Sequence, residues 1–70
     1  MSRAVVVSLG GRRELRLIRI DTEGPDGEVL DRRIMLAKGW QDDVTLEAPV
    51  LLIPAAHAAE IAAALGRLAP

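Results

Sequence analysis

Two apolar runs studded with arginine, separated by an acidic segment, most constrain how this chain can fold. The runs are residues 12–20 (RRELRLIRI) and 29–36 (VLDRRIML). Residues 21–28 lie between them and concentrate Gly, Pro and acidic side chains, which are typical of a loop rather than a strand. Aliphatic residues interleaved with charged ones are typical of strands. The pattern therefore predicts a β-hairpin that carries a basic face.

A first strand is predicted at residues 3–9, which are short and β-branched. Gly10 and Gly11 follow at once, and a two-residue glycine link between apolar runs predicts a type I′ or II′ turn. The first two strands are therefore expected to pair antiparallel.

The second strand carries apolar residues on both parities, with Leu15 and Leu17 on one and Ile18 and Ile20 on the other. Two alternatives follow: either both faces of the strand are covered, or a bulge lies near residue 17. A bulge would direct Arg16 and Arg19 toward the same side.

The third strand is predicted at residues 29–37, with Leu30, Ile34 and Leu36 inward and Arg33 and Met35 outward. A turn is expected at residues 38–43, followed by a short strand at 44–47. Residues 50–53 form a continuous apolar run, which is typical of a buried strand.

A single helix is predicted at residues 55–68, with Pro54 at its first position. Alanines supply helix propensity, and Ile61, Leu65 and Leu68 form one apolar stripe. The fold class is therefore α+β: an antiparallel β-sheet of four or five strands followed by one C-terminal α-helix, in a single domain spanning residues 1–70.

The chain is short for a domain that is stabilised by its hydrophobic core alone. It has 70 residues, no cysteine, no Phe or Tyr and one Trp, and domains of this size bury only about 60% of the surface that the unfolded chain exposes. Without disulfides, self-association is the most available supplement. We therefore expect a homodimer, joined through the helix stripe or a sheet edge.

Several classes of function find no support in the residues. His57 is the one histidine and no Ser or Cys lies in an activating context, so we expect no enzyme. Adjacent Asp42 and Asp43 diverge on a turn, so no metal and no cofactor are expected. The chain has no secretory leader pattern and no apolar run long enough for a membrane span, which predicts a cytoplasmic location without membrane contact.

Basic residues on the second and third strands are the strongest functional signal, because paired strands bring guanidinium groups within reach of one phosphate backbone. The alternative is a structural role, in which these basic residues form salt bridges with Glu14, Asp31 and the acidic loop. Trp40 either stacks a base or anchors the core. The candidate nucleic-acid-binding residues are Arg12, Arg13, Arg16, Arg19, Arg32, Arg33, Lys38 and Trp40.

The order of elements also resembles a known family. The pair Ile18-Arg19, the loop pair Gly27-Glu28 and the run at residues 32–36 (RRIML) are similar to motifs of the positive cofactor four family of single-stranded-DNA-binding transcriptional coactivators, which is related to Whirly and Pur-alpha repeats. The resemblance implies a sheet that binds single-stranded DNA, a helix after a proline and a role in transcription regulation.

Two functions are therefore weighed. The first is sequence-tolerant binding of single-stranded nucleic acid by a basic sheet face. The alternative is a small protein-interaction module, such as an adaptor, a subunit or a phage-type inhibitor, that uses a sheet edge and the acidic loop. One contiguous positive face would favour the first, and arginines neutralised by neighbouring acids would favour the second.

Overall fold

The chain folds as a four-stranded antiparallel meander followed by one helix, in a computed structural model that describes residues 3–70. The strands are β1 (Ala4–Gly10), β2 (Arg13–Glu23), β3 (Val29–Trp40) and β4 (Leu46–Pro54), and a 3-10 turn (Ala55–His57) leads into helix α1 (Ala58–Leu68). Sheet order follows chain order, so β1 and β4 are the two edges. The predicted α+β class, with four strands and one C-terminal helix, is confirmed.

The first hairpin turns one residue later than predicted. Gly11 and Arg12 form the turn, and Gly10 pairs with Arg13 across a register shift. Gly10, Gly11 and Arg12 have φ angles of 82°, 59° and 66°. Arg12 thus adopts the left-handed backbone that a side chain disfavours. The two glycines start the reversal, and the residue after them completes it.

Strand β2 is regular, without a bulge near residue 17. It pairs with β3 without interruption from Arg13 to Thr22, so Arg16 and Arg19 point to opposite faces. The strand also continues to Glu23, and the prediction that residues 21–23 belong to the loop was wrong. Asp21 pairs with Arg32 across the hairpin, and this favourable charge pairing offsets the low strand propensity of aspartate.

The predicted turn at residues 38–43 begins too early. Lys38, Gly39 and Trp40 are part of β3, where their partners on β2 are Leu15, Glu14 and Arg13. Residues 46–54 form one strand instead of two short ones. Pro49 is tolerated within it because β4 is an edge strand, where a missing N–H need not interrupt a ladder.

Burial is the largest departure from expectation. The run at residues 50–53 was predicted to be buried, yet Leu51 is 58% exposed and Leu52 is 48% exposed, because β4 is an edge strand and among the described elements it makes substantial contact only with β3. Among the described apolar residues only Ala37, at 2%, is buried. Leu30, which was expected to point inward, is also exposed.

Helix α1 does not close the sheet. Among the described elements it makes substantial contact only with the 3-10 turn, and that turn contacts β3. Ile61 is half-buried, whereas Leu65 and Leu68 of the predicted stripe are exposed. The radius of gyration is 14.0 Å, against about 11 Å for a compact domain of this length. Both faces of the sheet are therefore largely open.

Replacing Gly66 by alanine tests the helix. Gly66 lies within α1 and an added Cβ would meet no atom within 4 Å, so Gly66→Ala should raise helicity and stabilise the helix by up to about 1 kcal/mol. Circular dichroism at 222 nm with urea titration measures both. In the control, Gly39→Ala, the added Cβ would lie 3.0 Å from Cζ of Arg16, and stability should fall. A loss of helicity in Gly66→Ala would contradict the assigned helix.

Candidate functional site

The strand register divides the predicted binding residues between two faces. Directly opposed residues share a face, and one cross-strand row consists of Val5, Leu17, Leu36 and Leu51. We call the face with this row the cationic face. The adjacent row, Ala4, Ile18, Met35 and Leu52, lies on the other side, which we call the neutral face.

The cationic face has a surplus of positive charge. Within the strands it carries three carboxylates, Asp21, Glu23 and Glu47, against five cationic side chains. Those five are Arg3, Arg13, Arg19, Arg32 and Lys38, and Trp40 lies on the same face.

The neutral face is balanced. Its charged side chains in the same region are Glu14, Arg16, Asp31 and Arg33. Nε of Arg16 lies 2.7 Å from the Glu14 carboxylate, and Nε of Arg33 lies 2.7 Å from that of Asp31. Arg16 and Arg33 therefore lie on the opposite side of the sheet from the other predicted binding residues on the strands.

Arg12 belongs to neither face. It lies in the turn after β1, and its guanidinium forms an ion pair with Asp42, on the segment that follows β3. Both side chains are mostly exposed, so the pair contributes little to stability.

One end of the cationic face is organised around Trp40. Nη2 of Arg13 donates to Oε2 of Glu47 at 2.8 Å, and its guanidinium carbon lies 4.9 Å from the centroid of the indole ring. Trp40 is 45% exposed. Of its two predicted roles, anchoring a closed core does not fit this position, and the exposed part of the ring is accessible to a stacking partner.

The other end of the cationic face is organised around Asp21, whose side chain is only 5% exposed. Its Oδ2 accepts a hydrogen bond of 3.0 Å from Nη2 of Arg19, and its Oδ1 lies 3.7 Å from Nε of Arg32. One buried carboxylate thus serves two guanidinium groups. Removing one partner of such a partly buried ion pair destabilises the fold more than removing one partner of an exposed pair, because a buried charge is left without compensation.

Between these two ends lies an apolar groove of about 240 Å³. Val5, Leu17 and Ile34 form its floor, and Arg3 and Arg19 border it. The sequence interpretation left Arg3 out of the site, although its parity with Val5 places it on the same face. The sequence does not predict the groove, because the groove exists only where no described element covers this part of the sheet.

Arg16 is committed to the fold. Its guanidinium is bound by Glu14, donates to the backbone oxygen of Trp40 at 2.7 Å and also donates to the backbone oxygen of Asp43. The Arg16 and Glu14 side chains are 15% and 13% exposed. Arg16 therefore fastens the segment after β3 to the sheet and has few donors left for a ligand.

Asp43 is fixed by a local turn. Its Oδ1 accepts the backbone N–H of Thr45 at 2.8 Å, and this hydrogen bond is the main reason that the pKa of Asp43 lies below its ordinary value. The nearby Arg16 charge acts in the same direction. Asp43 thus stays ionised at neutral pH and continues to accept from Thr45.

Lys38 is the most available cation of the predicted set. It is exposed on β3, and within residues 3–70 no carboxylate forms an ion pair with it. Its cross-strand neighbour on β4, Glu47, forms an ion pair with Arg13 instead. A phosphate group could therefore bind the Lys38 ammonium without displacing a carboxylate.

Features associated with catalysis or metals are sparse in the described part of the chain. No group of three or more His, Cys, Asp or Glu side chains there could hold a metal ion. Nδ1 of His57 lies 3.8 Å from Oε2 of Glu60, and both side chains are exposed. No helix among the described residues has the length and apolar character required to cross a membrane.

No protein-family model, no curated protein and no solved structure matches the chain. The resemblance to the positive cofactor four family therefore stays a prediction that rests on the sequence motifs alone.

Removing the charge of Asp21 should destabilise the fold. In Asp21→Asn the two arginines that share this carboxylate lose their anion, and we expect the free energy of unfolding to fall by about 1–3 kcal/mol. Urea denaturation measures the change. Asp26→Asn, in the exposed loop, is the charge-matched control and should change stability by less than about 0.5 kcal/mol. Equal effects of the two variants would contradict the organising role of Asp21.

Proposed function

We propose that the cationic face binds single-stranded nucleic acid without sequence preference and that the protein does so as a cytoplasmic homodimer. The observation that carries this proposal is the charge surplus: five cations and three carboxylates share a sheet face with an exposed tryptophan. Basic grooves with an aromatic platform are how proteins bind single strands of any sequence. The role proposed is binding, without catalysis and without a cofactor.

Contacts to the backbone would come from cations distributed along the face. Lys38 and Arg32 are six residues apart on β3, which corresponds to about 20 Å along the strand. One strand of a B-form duplex has a phosphate about every 3.4 Å along the helix axis, and a single strand is more extended, so that distance corresponds to at most about six nucleotides. The face thus matches a short single-stranded segment.

Trp40 would supply the stacking contact. Arg13 already lies over the indole, and a base added to the exposed part of the ring would extend this arrangement. Stacking of this kind contributes about 1–3 kcal/mol per base, and it tolerates every base because all four have a planar face.

The test is fluorescence anisotropy of a labelled single-stranded oligonucleotide of about 12 nucleotides, twice the span estimated from the phosphate spacing. Binding should weaken steeply as salt rises. Lys38→Ala should lower the affinity and reduce the salt slope by about 0.7, the value for one phosphate contact in a single strand.

Arg33→Ala is the matched control, because it removes one positive charge from the neutral face of the same strand. We expect its affinity and salt slope to equal those of the unsubstituted protein. Equal losses in the two variants would mean that net charge, rather than the cationic face, governs binding. No binding at low salt would overturn the proposal.

A second candidate, the protein-interaction module, is favoured by a different observation. Most of the strand arginines already have a carboxylate neighbour, including Arg13, Arg19 and Arg32 on the cationic face. Strand β1 is also an open edge with exposed valines, and such an edge can accept a strand from a partner. Failure of oligonucleotides to bind would turn the search to this edge.

A further inference from the structure

The folded chain exposes far more surface than its mass requires. Its accessible surface is 5455 Å² for a mass of 7.5 kDa, whereas a compact monomer of this mass exposes about 4,250 Å². The excess is about 1,200 Å², and a stable interface of standard size covers about 800 Å² on each partner. One chain therefore has enough uncovered surface for a complete interface.

Apolar side chains dominate the centre of the neutral face. Val6 is 56% exposed, Ile20 is 41% exposed and Leu52 is 48% exposed, and Ile18 and Met35 lie among them, half-buried. Apolar surface of this kind on an open sheet is stabilised when another layer covers it.

Charge decides between the two faces. A two-fold symmetric interface brings the same patch of both copies together. The cationic face would then meet a second surplus of positive charge, and this repulsion opposes association. On the neutral face, Arg16 and Arg33 are matched by Glu14 and Asp31, so two copies can approach without net repulsion.

Polar groups on the neutral face are also largely satisfied before any contact forms. Arg16 and Glu14 are mostly shielded from solvent and hydrogen-bonded to each other. Arg33 and Asp31 lie toward the opposite end of the sheet, where Nε of Arg33 donates to Oδ2 of Asp31. Covering the apolar centre therefore leaves few unpaired polar groups, which would otherwise oppose burial.

We propose that a second copy of this chain covers the neutral face, so that two four-stranded sheets pack face to face in a symmetric homodimer. The layers would be about 10 Å apart, as in other packed sheets. The interface differs from the helix stripe and the sheet edge that the sequence suggested. Both cationic faces then point outward, on opposite sides of the dimer.

Adjacent residues of β4 provide a matched pair of test variants. Leu51 and Leu52 are similarly exposed but point to the cationic and the neutral face respectively. Sedimentation equilibrium should show a dimer for the unsubstituted protein. Leu52→Glu should raise the dimer dissociation constant by about a hundredfold, the effect expected when a charge enters the centre of an apolar interface. Leu51→Glu should leave the dimer intact.

Cysteine labelling answers the same question where a charged variant fails to fold. The chain has no cysteine, so Val6→Cys and Val5→Cys each introduce a single thiol, on the neutral and the cationic face respectively. At high protein concentration the thiol at position 6 should react slowly with a maleimide, and dilution should restore its reactivity. The thiol at position 5 should react quickly at every concentration.

Three results would overturn the proposal: a monomer at all concentrations, a dimer that protects position 5 instead of position 6, or a dimer that protects neither. These outcomes do not depend on nucleic acid. Anisotropy of an oligonucleotide tests the cationic face separately, so nucleic-acid binding and dimerisation through the neutral face can fail independently, although a monomer would also remove the homodimer from the proposed function.

Discussion

Continuous pairing of β2 with β3 is the constraint on which the rest of the structure depends. The register holds from Arg13 to Thr22 without a bulge. It fixes which side chains share a face, because side chains alternate strictly along a strand. If β2 shifted by one residue, Arg16 would move to the cationic face and Leu17 to the neutral face. The paired charges of the neutral face would then be mixed with the surplus cations of the other face. The Asp21 ion pairs at one end and the Arg16 contacts at the other stabilise this register where it ends.

Much of the fold could be predicted from residue patterns. Alternating aliphatic and charged residues predicted β2 and β3, the glycine pair predicted the first hairpin, and the alanine-rich segment predicted α1. Strand ends were the weak point. Asp21 and Lys38 have low strand propensity, yet both lie in strands because each has a partner across the hairpin. Such pairing joins residues distant in sequence, so local composition does not reveal it.

The candidate site was predicted only in part for the same reason. The sequence identified the cationic residues, but the face of those on β2 depends on whether that strand contains a bulge, and the residues allowed both alternatives. The regular strand placed Arg16 away from Arg13 and Arg19. Burial was also misjudged at residues 50–53, because an apolar run indicates that a surface needs covering and does not say which molecule covers it.

The open sheet and the divided charges have one physical explanation if each face meets a different partner. A chain this short cannot bury two apolar faces with one helix, and α1 makes no substantial contact with any described strand. A face with paired charges meets no net repulsion when a second copy covers it, whereas a face with surplus cations gains most from an anionic ligand. Carboxylates on the cationic face, such as Asp21, keep its arginines ordered without ligand. They also compete with phosphate for those arginines, so affinity is expected to depend most on Lys38, whose cross-strand neighbour Glu47 pairs with Arg13 instead.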